Sequence, residues 1–215
     1  GALFLFGGVA ESDSGGLVVI NEVMWDEMEY VELKNTSSVG VSLAGRSLAR
    51  QRPGEERKNI VTFGSSDAVG ANSYWLIEKS EAATTVVADK LVSGLTLLNS
   101  GEQLVLLDQN GTVVDTANPI AAWVAGENTS VGVAMERNNP PADGLLAEKW
   151  HTSTGSDGGR SGTPRAANTE PPPNTAPQAV AGIDIATSVG VNLSFSAEDS
   201  TDSEGDALTY TWDFG

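Results

Sequence analysis

Five carboxylates fall within INEVMWDEMEYVELKN, positions 20–35: Glu22, Asp26, Glu27, Glu29 and Glu32. Carboxylates this dense can hold a hard cation, or can divide into a general acid and a general base when their surroundings push their pKa values apart. The second use needs a pocket that takes at least one of them out of water. The same stretch reads as two strands with Asp26 and Glu27 in the turn between them. Alternate residues of a strand share a face, so Val31 and Leu33 oppose Tyr30, Glu32 and Lys34. Ile20, Glu22 and Met24 oppose Val19, Asn21 and Val23, and neither set is cleanly apolar. On this reading the acids are solvated strand and turn residues. Glu22 and Glu32 are candidates for a structural hydrogen-bond network, and no residue is assigned a catalytic role.

Other groups with chemistry are few. A single histidine and no cysteine exclude multi-histidine and thiolate metal sites, disulfides and a cysteine nucleophile. His151, in EKWHTSTGS, has no Gly-x-Ser-x-Gly context near it and reads as a structural or exposed loop residue. Arg46, Arg50, Arg52, Arg57 and Lys58 could meet an anionic ligand. Glu55 and Glu56 dilute that field, so the stretch reads as a solvated hairpin with its charges paired. Trp25, Trp75, Trp123, Trp150 and Trp212 could stack on sugars, but Trp75 lies in an apolar strand and is expected in the core. The metal candidate is DSTDSEGD, residues 199–206. Asp202, Glu204 and Asp206 alternate around Gly205 and offer the hard oxygens that calcium prefers. The pattern falls short of an EF-hand loop. Its alternative is a solvated turn whose short acidic side chains cap the backbone.

The elements that must position these groups are short strands. LVVINEVMW, YVELKN, VSLAG, NIVTFG, SYWLIEK, EQLVLLD, TVVDTA and VGVAMER are mostly β-branched or aromatic runs bounded by Gly, Asn, Asp or Ser. Asn110-Gly111 predicts a hairpin tip with a type I′ turn, in which both central residues take positive φ. EAATTVVADKLV is the one stretch where a short helix is arguable. The pattern as a whole predicts an all-β sandwich over residues 17–170. The Pro-rich linker, residues 171–177, lies within NTEPPPNTAP and favours an extended spacer. Residues 178–215 hold further strand-like runs, VNLSFSAEDS and ALTYTWDFG, too few to close a sandwich, and read as a truncated second unit.

The formal charge is −17. Residues 17–170 hold 20 acids against 12 bases, while residues 171–215 hold seven acids and no base. So acidic a surface repels phosphate backbones, which makes nonspecific nucleic-acid binding unfavourable. The run ALFLFGGVA, ending in Gly8-Val9-Ala10, has the form of a signal-peptide core with cleavage after Ala10, so residues 1–16 are expected to be a signal remnant and leader. No later run reaches the ~18 apolar residues of a membrane helix.

Several of these runs together resemble one family. VVINEVMW, EYVELKNTS and VSLAGRSL are similar to the opening of the bacterial lamin-tail domain. SYWLIEK, LLNSGEQLVLLDQNGTVVD, AAWVAGENTSVGVAMER and GTPRAANT follow in the family's order. Arg46 stands where the family usually has Trp, and Val133-Ala134 precedes Met135-Glu136 where Ser is common. The resemblance implies an immunoglobulin-like β-sandwich without catalytic apparatus of its own. Residues 174–215, with APQAVAG and SEGDALTYTWDFG, resemble the first half of a PKD domain, a second immunoglobulin-like unit used as a spacer or binding module. The resulting expectation is a non-catalytic binding or interaction module of an exported surface or secreted protein. Its partners would be protein or polysaccharide at the cell surface, and calcium would be a cofactor of an intact second unit. The alternative is the accessory N-terminal region of a larger extracellular hydrolase, such as a nuclease.

Overall fold

Strand follows strand through the first part of the chain, in the order β1 (Val18–Met24), β2 (Tyr30–Asn35), β3 (Val41–Ser42), β4 (Ser47–Gln51), β5 (Lys58–Thr62), β6 (Ala68–Val69), β7 (Tyr74–Glu78), β8 (Lys90–Leu91), β9 (Gln103–Leu107), β10 (Val113–Ala117), β11 (Met135–Arg137) and β12 (Trp150–Thr152). The structure is a computed structural model that describes residues 17–26, 28–171, 175–203 and 207–213. The chain divides into two compact units, Gly1–Pro171 and Pro172–Gly215. Among the described residues the only helical turn is a 3-10 turn at Ala147–Lys149, and no helix is long and apolar enough to cross a membrane.

The first unit is an open β-sandwich. One sheet has the order β12-β11-β1-β2-β7-β8, the other β10-β9-β4-β5, and β3 pairs with β6. The main core lies on the facing sides: Val18, Ile20, Val23, Val31, Leu33, Trp75 and Ile77 from the six-stranded sheet, and Leu48, Val61, Leu104 and Leu106 from the four-stranded one. Trp75 meets Phe63 edge-to-face in this layer, at 5.1 Å between ring centroids. Arg137 ties the sheets together: its guanidinium donates to Asp115 Oδ2 at 2.5 Å and to Ile20 O at 3.0 Å. The same guanidinium lies over the Trp150 ring.

The mixed pattern of the first strand has a structural cause. Ile20 pairs with Leu33 and Glu22 with Glu32, so Asn21 is an extra residue on β1, a β-bulge. The bulge resets the alternation. Ile20 and Val23 both join the main core, and Glu22 and Met24 are left on the outer face.

Three local expectations are corrected. The 81–92 stretch, where a short helix is arguable from the sequence, forms none: it passes through turns and bends before β8, with Thr84 Oγ1 donating to Glu78 and Thr85 N to Asp157. The tip between β9 and β10 is not type I′. Gly111 N donates to Asp108 O, Gln109 and Asn110 occupy the centre, and only Gly111 takes positive φ, at 80°. Asp108 Oδ1 accepts from Asn110 N at 2.8 Å and from Thr112 N at 2.7 Å, which favours this wider turn. In the second unit, VNLSFSAEDS and the described part of ALTYTWDFG form no strand. Its ordered contacts include a bridge between Gln178 and Thr201 and a tilted Phe195–Trp212 ring pair at 5.5 Å. Ile183, Val189 and Val191 stay exposed, because so few runs offer no facing layer to bury them.

Candidate functional site

The strand register places three carboxylates in one row. Glu136 on β11 is opposite Glu22 on β1, and Glu22 is opposite Glu32 on β2. All three lie on the outer face of the six-stranded sheet, and all three are fully buried. The expectation of solvated strand acids is therefore overturned. Like charges directly opposite on neighbouring strands repel, and burial of an unpaired carboxylate is costly. Both penalties must be met by whatever covers the row.

The cover is the segment 153–169, which leaves the end of β12 and crosses the outer face. Thr163 N donates to Glu22 Oε1 at 2.8 Å, beside Tyr30 Oη, which donates to the same oxygen at 2.5 Å. Arg165 N and Asn21 Nδ2 donate to the two oxygens of Glu32 at 2.5 and 2.9 Å. Arg165 has a φ of 61°, the left-handed region, and this turn brings its N–H into line with Glu32. Glu136 is the best supplied: Ser153 Oγ, Thr163 Oγ1, Thr169 N and Thr169 Oγ1 all donate to it, and His151 Nε2 lies at 3.1 Å. Asn168 and Asn21 pair through their side-chain amides, and Asn168 Nδ2 also donates to Arg137 O. The strap runs close because Gly162 has no side chain. A Cβ there would stand 2.3 Å from Tyr30 Oη and 2.7 Å from Glu22 Oε1.

These surroundings split the titration of the row. Burial pushes Glu22 from 4.5 up to about 8, against the hydrogen bonds of Tyr30 and Thr163 and helped by the charge of Glu136. Burial and the neighbouring Glu22 also raise Glu32 well above the ordinary carboxylate range. Burial acts on Glu136 as well, but hydrogen bonds from His151, Ser153, Thr169 and Thr163 outweigh it and hold this group at about 2. At neutral pH Glu136 carries the charge and Glu22 beside it carries a proton. Oε1 of Glu22 already accepts from Tyr30 and Thr163, so the proton belongs on Oε2, which faces Thr163 Oγ1 at 3.3 Å. Thr163 then accepts from Glu22 and donates onward to Glu136 Oε1 at 2.8 Å. One hydroxyl thus links a neutral acid to an anion.

Two carboxyl groups with separated pKa values are also what acid–base catalysis uses. Here every member of the row is fully buried and its lone pairs face the strap, so a substrate has no access to them in this structure. The arrangement acts as a clasp that fixes residues 153–169 to the sheet.

The remaining sequence candidates are scattered. Asp26 is buried and accepts weakly from Asn99, while Glu29 pairs with Lys79 at 2.6 Å. Glu27 lies outside the described residues. His151 is not a loop residue but part of β12, buried, with Nδ1 at 2.7 Å from Asn138 Oδ1 and Nε2 facing Glu136. Most of the basic stretch is engaged within the domain: Arg46 is buried, Arg52 pairs with Glu102 at 2.6 Å, Arg50 donates to Thr96 O and Lys58 lies near Glu55, while Arg57 is exposed. Trp75 is in the core as expected, and Trp25 stacks on Trp123 at 5.8 Å. Of the calcium candidates Asp202 is described, whereas Glu204 and Asp206 lie outside the described residues. Glu136 is the member of the row that the sequence does not mark as a candidate, and its one signal is the run AMER at the end of a strand-like stretch.

Residues 11–120 match the family model of the Lamin Tail Domain. The chain belongs to this family. Residues 174–215 match a PKD domain. No curated protein matches the chain. Both families are immunoglobulin-like interaction modules, in keeping with the open β-sheets of the first unit and the near absence of helix among the described residues. The lamin tail match ends at residue 120, whereas β11, β12 and the strap follow it. The clasp therefore joins strands inside the matched region to a segment beyond it.

Proposed function

We propose that this lamin tail domain protein is a non-catalytic binding and interaction module of an exported surface or secreted protein, with protein or polysaccharide partners at the cell surface. The observation that carries this reading is the clasp. The acids most suited to catalysis are taken up by the domain's own backbone and hydroxyls. The tandem of two interaction-module families supports the same reading, as does the signal-like run before Glu11. Asp202, Glu204 and Asp206 are proposed calcium ligands of the PKD unit on their chemistry alone.

The test is expression of the chain from its own leader, with fractionation and N-terminal sequencing of the product. Mature protein beginning near Glu11 outside the cytoplasm is the expected result. Uncleaved cytoplasmic protein removes the export reading. Cleavage of plasmid DNA or glycan by purified protein, lost on Glu22→Gln or Glu32→Gln, removes the non-catalytic one. Calcium titration of wild type and Asp202→Asn decides the metal: binding in both, or in neither, drops Asp202 as a ligand.

A further inference from the structure

Residues 162–169, the outer half of the strap, are held to the sheet mainly through the carboxylate row. None of them belongs to a strand, and a turn at Pro164-Arg165 is closed by Ala166 N donating to Thr163 O. Gly162 and Pro164 are buried and Ala166 and Ala167 exposed, but no residue of the segment enters a buried apolar cluster among the described residues. Its attachment is polar. Thr163 bonds Glu22 and Glu136, Arg165 N bonds Glu32, and Thr169 N and Oγ1 bond Glu136. Asn168 adds its pair with Asn21 and a bond to Arg137 O, and the Arg165 guanidinium reaches Asp89 and Val87 O. The main core lies on the other face of the sheet and takes nothing from this segment. A segment with so few buried apolar contacts opens more readily than the sheet beneath it.

That attachment depends on a proton. While Glu22 is neutral, Thr163 Oγ1 accepts from it and donates to Glu136. Once Glu22 is ionised, the hydroxyl has one proton to share between two anions, and Glu22 and Glu136 repel directly across neighbouring strands. The titratable groups nearest Glu22 are Tyr30 and Glu32 of β2 and Glu136 of β11. Farther along the outer face stand Lys34 of β2, Tyr74 and Glu78 of β7 and His151 of β12. The cations here are engaged elsewhere: Lys34 lies over the Tyr74 ring, His151 faces Glu136 and Arg165 pairs with Asp89. None of them bonds Glu22 to offset the new charge.

We propose that residues 162–169 form a proton-operated strap, closed while Glu22 holds its proton and released from the outer face when that proton leaves, with both sheets intact. The freed residues join the Pro-rich spacer that follows and lengthen it by up to ~27 Å. This goes beyond the proposed function and rests neither on export nor on a partner. Glu22 titrates at about 8 with the strap closed and at the ordinary 4.5 once it meets water. The open population therefore grows about tenfold per pH unit between those values and levels off above about 8. Glu32, also raised, adds in the same direction.

The test is amide hydrogen exchange of the full chain, read by NMR from pH 5 to 9, with each rate divided by that of an unstructured peptide at the same pH. The Thr163 and Arg165 amides should lose protection about tenfold or more per pH unit up to about pH 8. At pH 7 and above they should exchange faster than the paired amides of β2 and β7. Low urea should speed the β2 and β7 amides and leave the strap amides nearly unchanged, because a local opening exposes little surface. Glu22→Gln should remove about tenfold per unit from the strap's pH dependence. Tyr30→Phe removes a donor to the Glu22 carboxylate, so it should move the levelling-off to higher pH, and it decides the matter if Glu22→Gln does not fold. Equal protection in strap and sheet, strap protection that does not change with pH, or a pH profile untouched by both variants would each overturn the inference.

Discussion

Replacing Glu22 with glutamine should stabilise this protein at neutral and alkaline pH, although the residue is fully buried in a hydrogen-bonded row. Its carboxyl titrates at about 8 in the folded state and at the ordinary 4.5 when exposed. Between those values the unfolded chain has released the proton and the folded chain still holds it. Stability therefore falls as pH rises through this interval and levels off above about 8. Each unit is worth about 1.36 kcal/mol, so the interval amounts to about 5 kcal/mol, with about 3 kcal/mol already lost at pH 7. That is a large fraction of the ~5–15 kcal/mol that holds a typical domain together. Glutamine reproduces the protonated acid: its oxygen can accept from Tyr30 and Thr163 N, and its amide can donate to Thr163 Oγ1 as the acid proton does. The assay is urea unfolding of wild type and Glu22→Gln at intervals from pH 4 to 9, followed by tryptophan fluorescence and far-ultraviolet circular dichroism. The curves should coincide near pH 4–5 and diverge as pH rises. The alkaline slope should shrink by one proton without vanishing, because Glu32 is also raised. A variant less stable than wild type at pH 7, or an unchanged alkaline slope, would refute the protonated-ladder argument.

The acid side has the opposite sign. Glu136 is depressed from 4.5 to about 2, so its contribution is complete above 4.5 and fades as pH falls towards 2. Glu136→Gln should cost about 3 kcal/mol at pH 6 and flatten that limb, read by the same unfolding series. Gly162→Ala pushes a methyl against Tyr30 Oη and Glu22 Oε1, and it should cost about 1–3 kcal/mol and speed hydrogen exchange of the Thr163 and Arg165 amides. Unchanged exchange would mean that the strap does not depend on this close approach. Arg137→Met strands Asp115, the acceptor for both Arg137 and Ile20 N, and should lower stability by about 3–5 kcal/mol. The double variant with Asp115→Asn should recover part of the loss, and a double-mutant cycle with no coupling would sink the inter-sheet tie.

How far the sequence reaches differs between the fold and the site. The strand runs, the core position of Trp75 and the family motifs are local or periodic, and they are legible because alternation and turn residues act over a few positions. The Asn21 bulge is not legible, since an extra residue shows only against the partner strand's register. The same holds for β12, a three-residue strand that periodicity cannot detect and that carries His151 into the interior. Asn110-Gly111 marks a hairpin correctly, but the side chain of Asp108 decides which turn closes it.

What the sequence determined by itself is therefore the all-β sandwich, the lamin tail and PKD resemblance, and the presence of acids at 22 and 32 on strands. The tertiary structure decided what those acids are. Strand pairing aligned Glu136, Glu22 and Glu32, and a segment more than a hundred residues from Glu22 and Glu32 covered the face that alternation had left to solvent. Burial then set the protonation of each carboxyl through the donors it found there. Burial and protonation depend on residues far apart in the chain, so no local pattern encodes them.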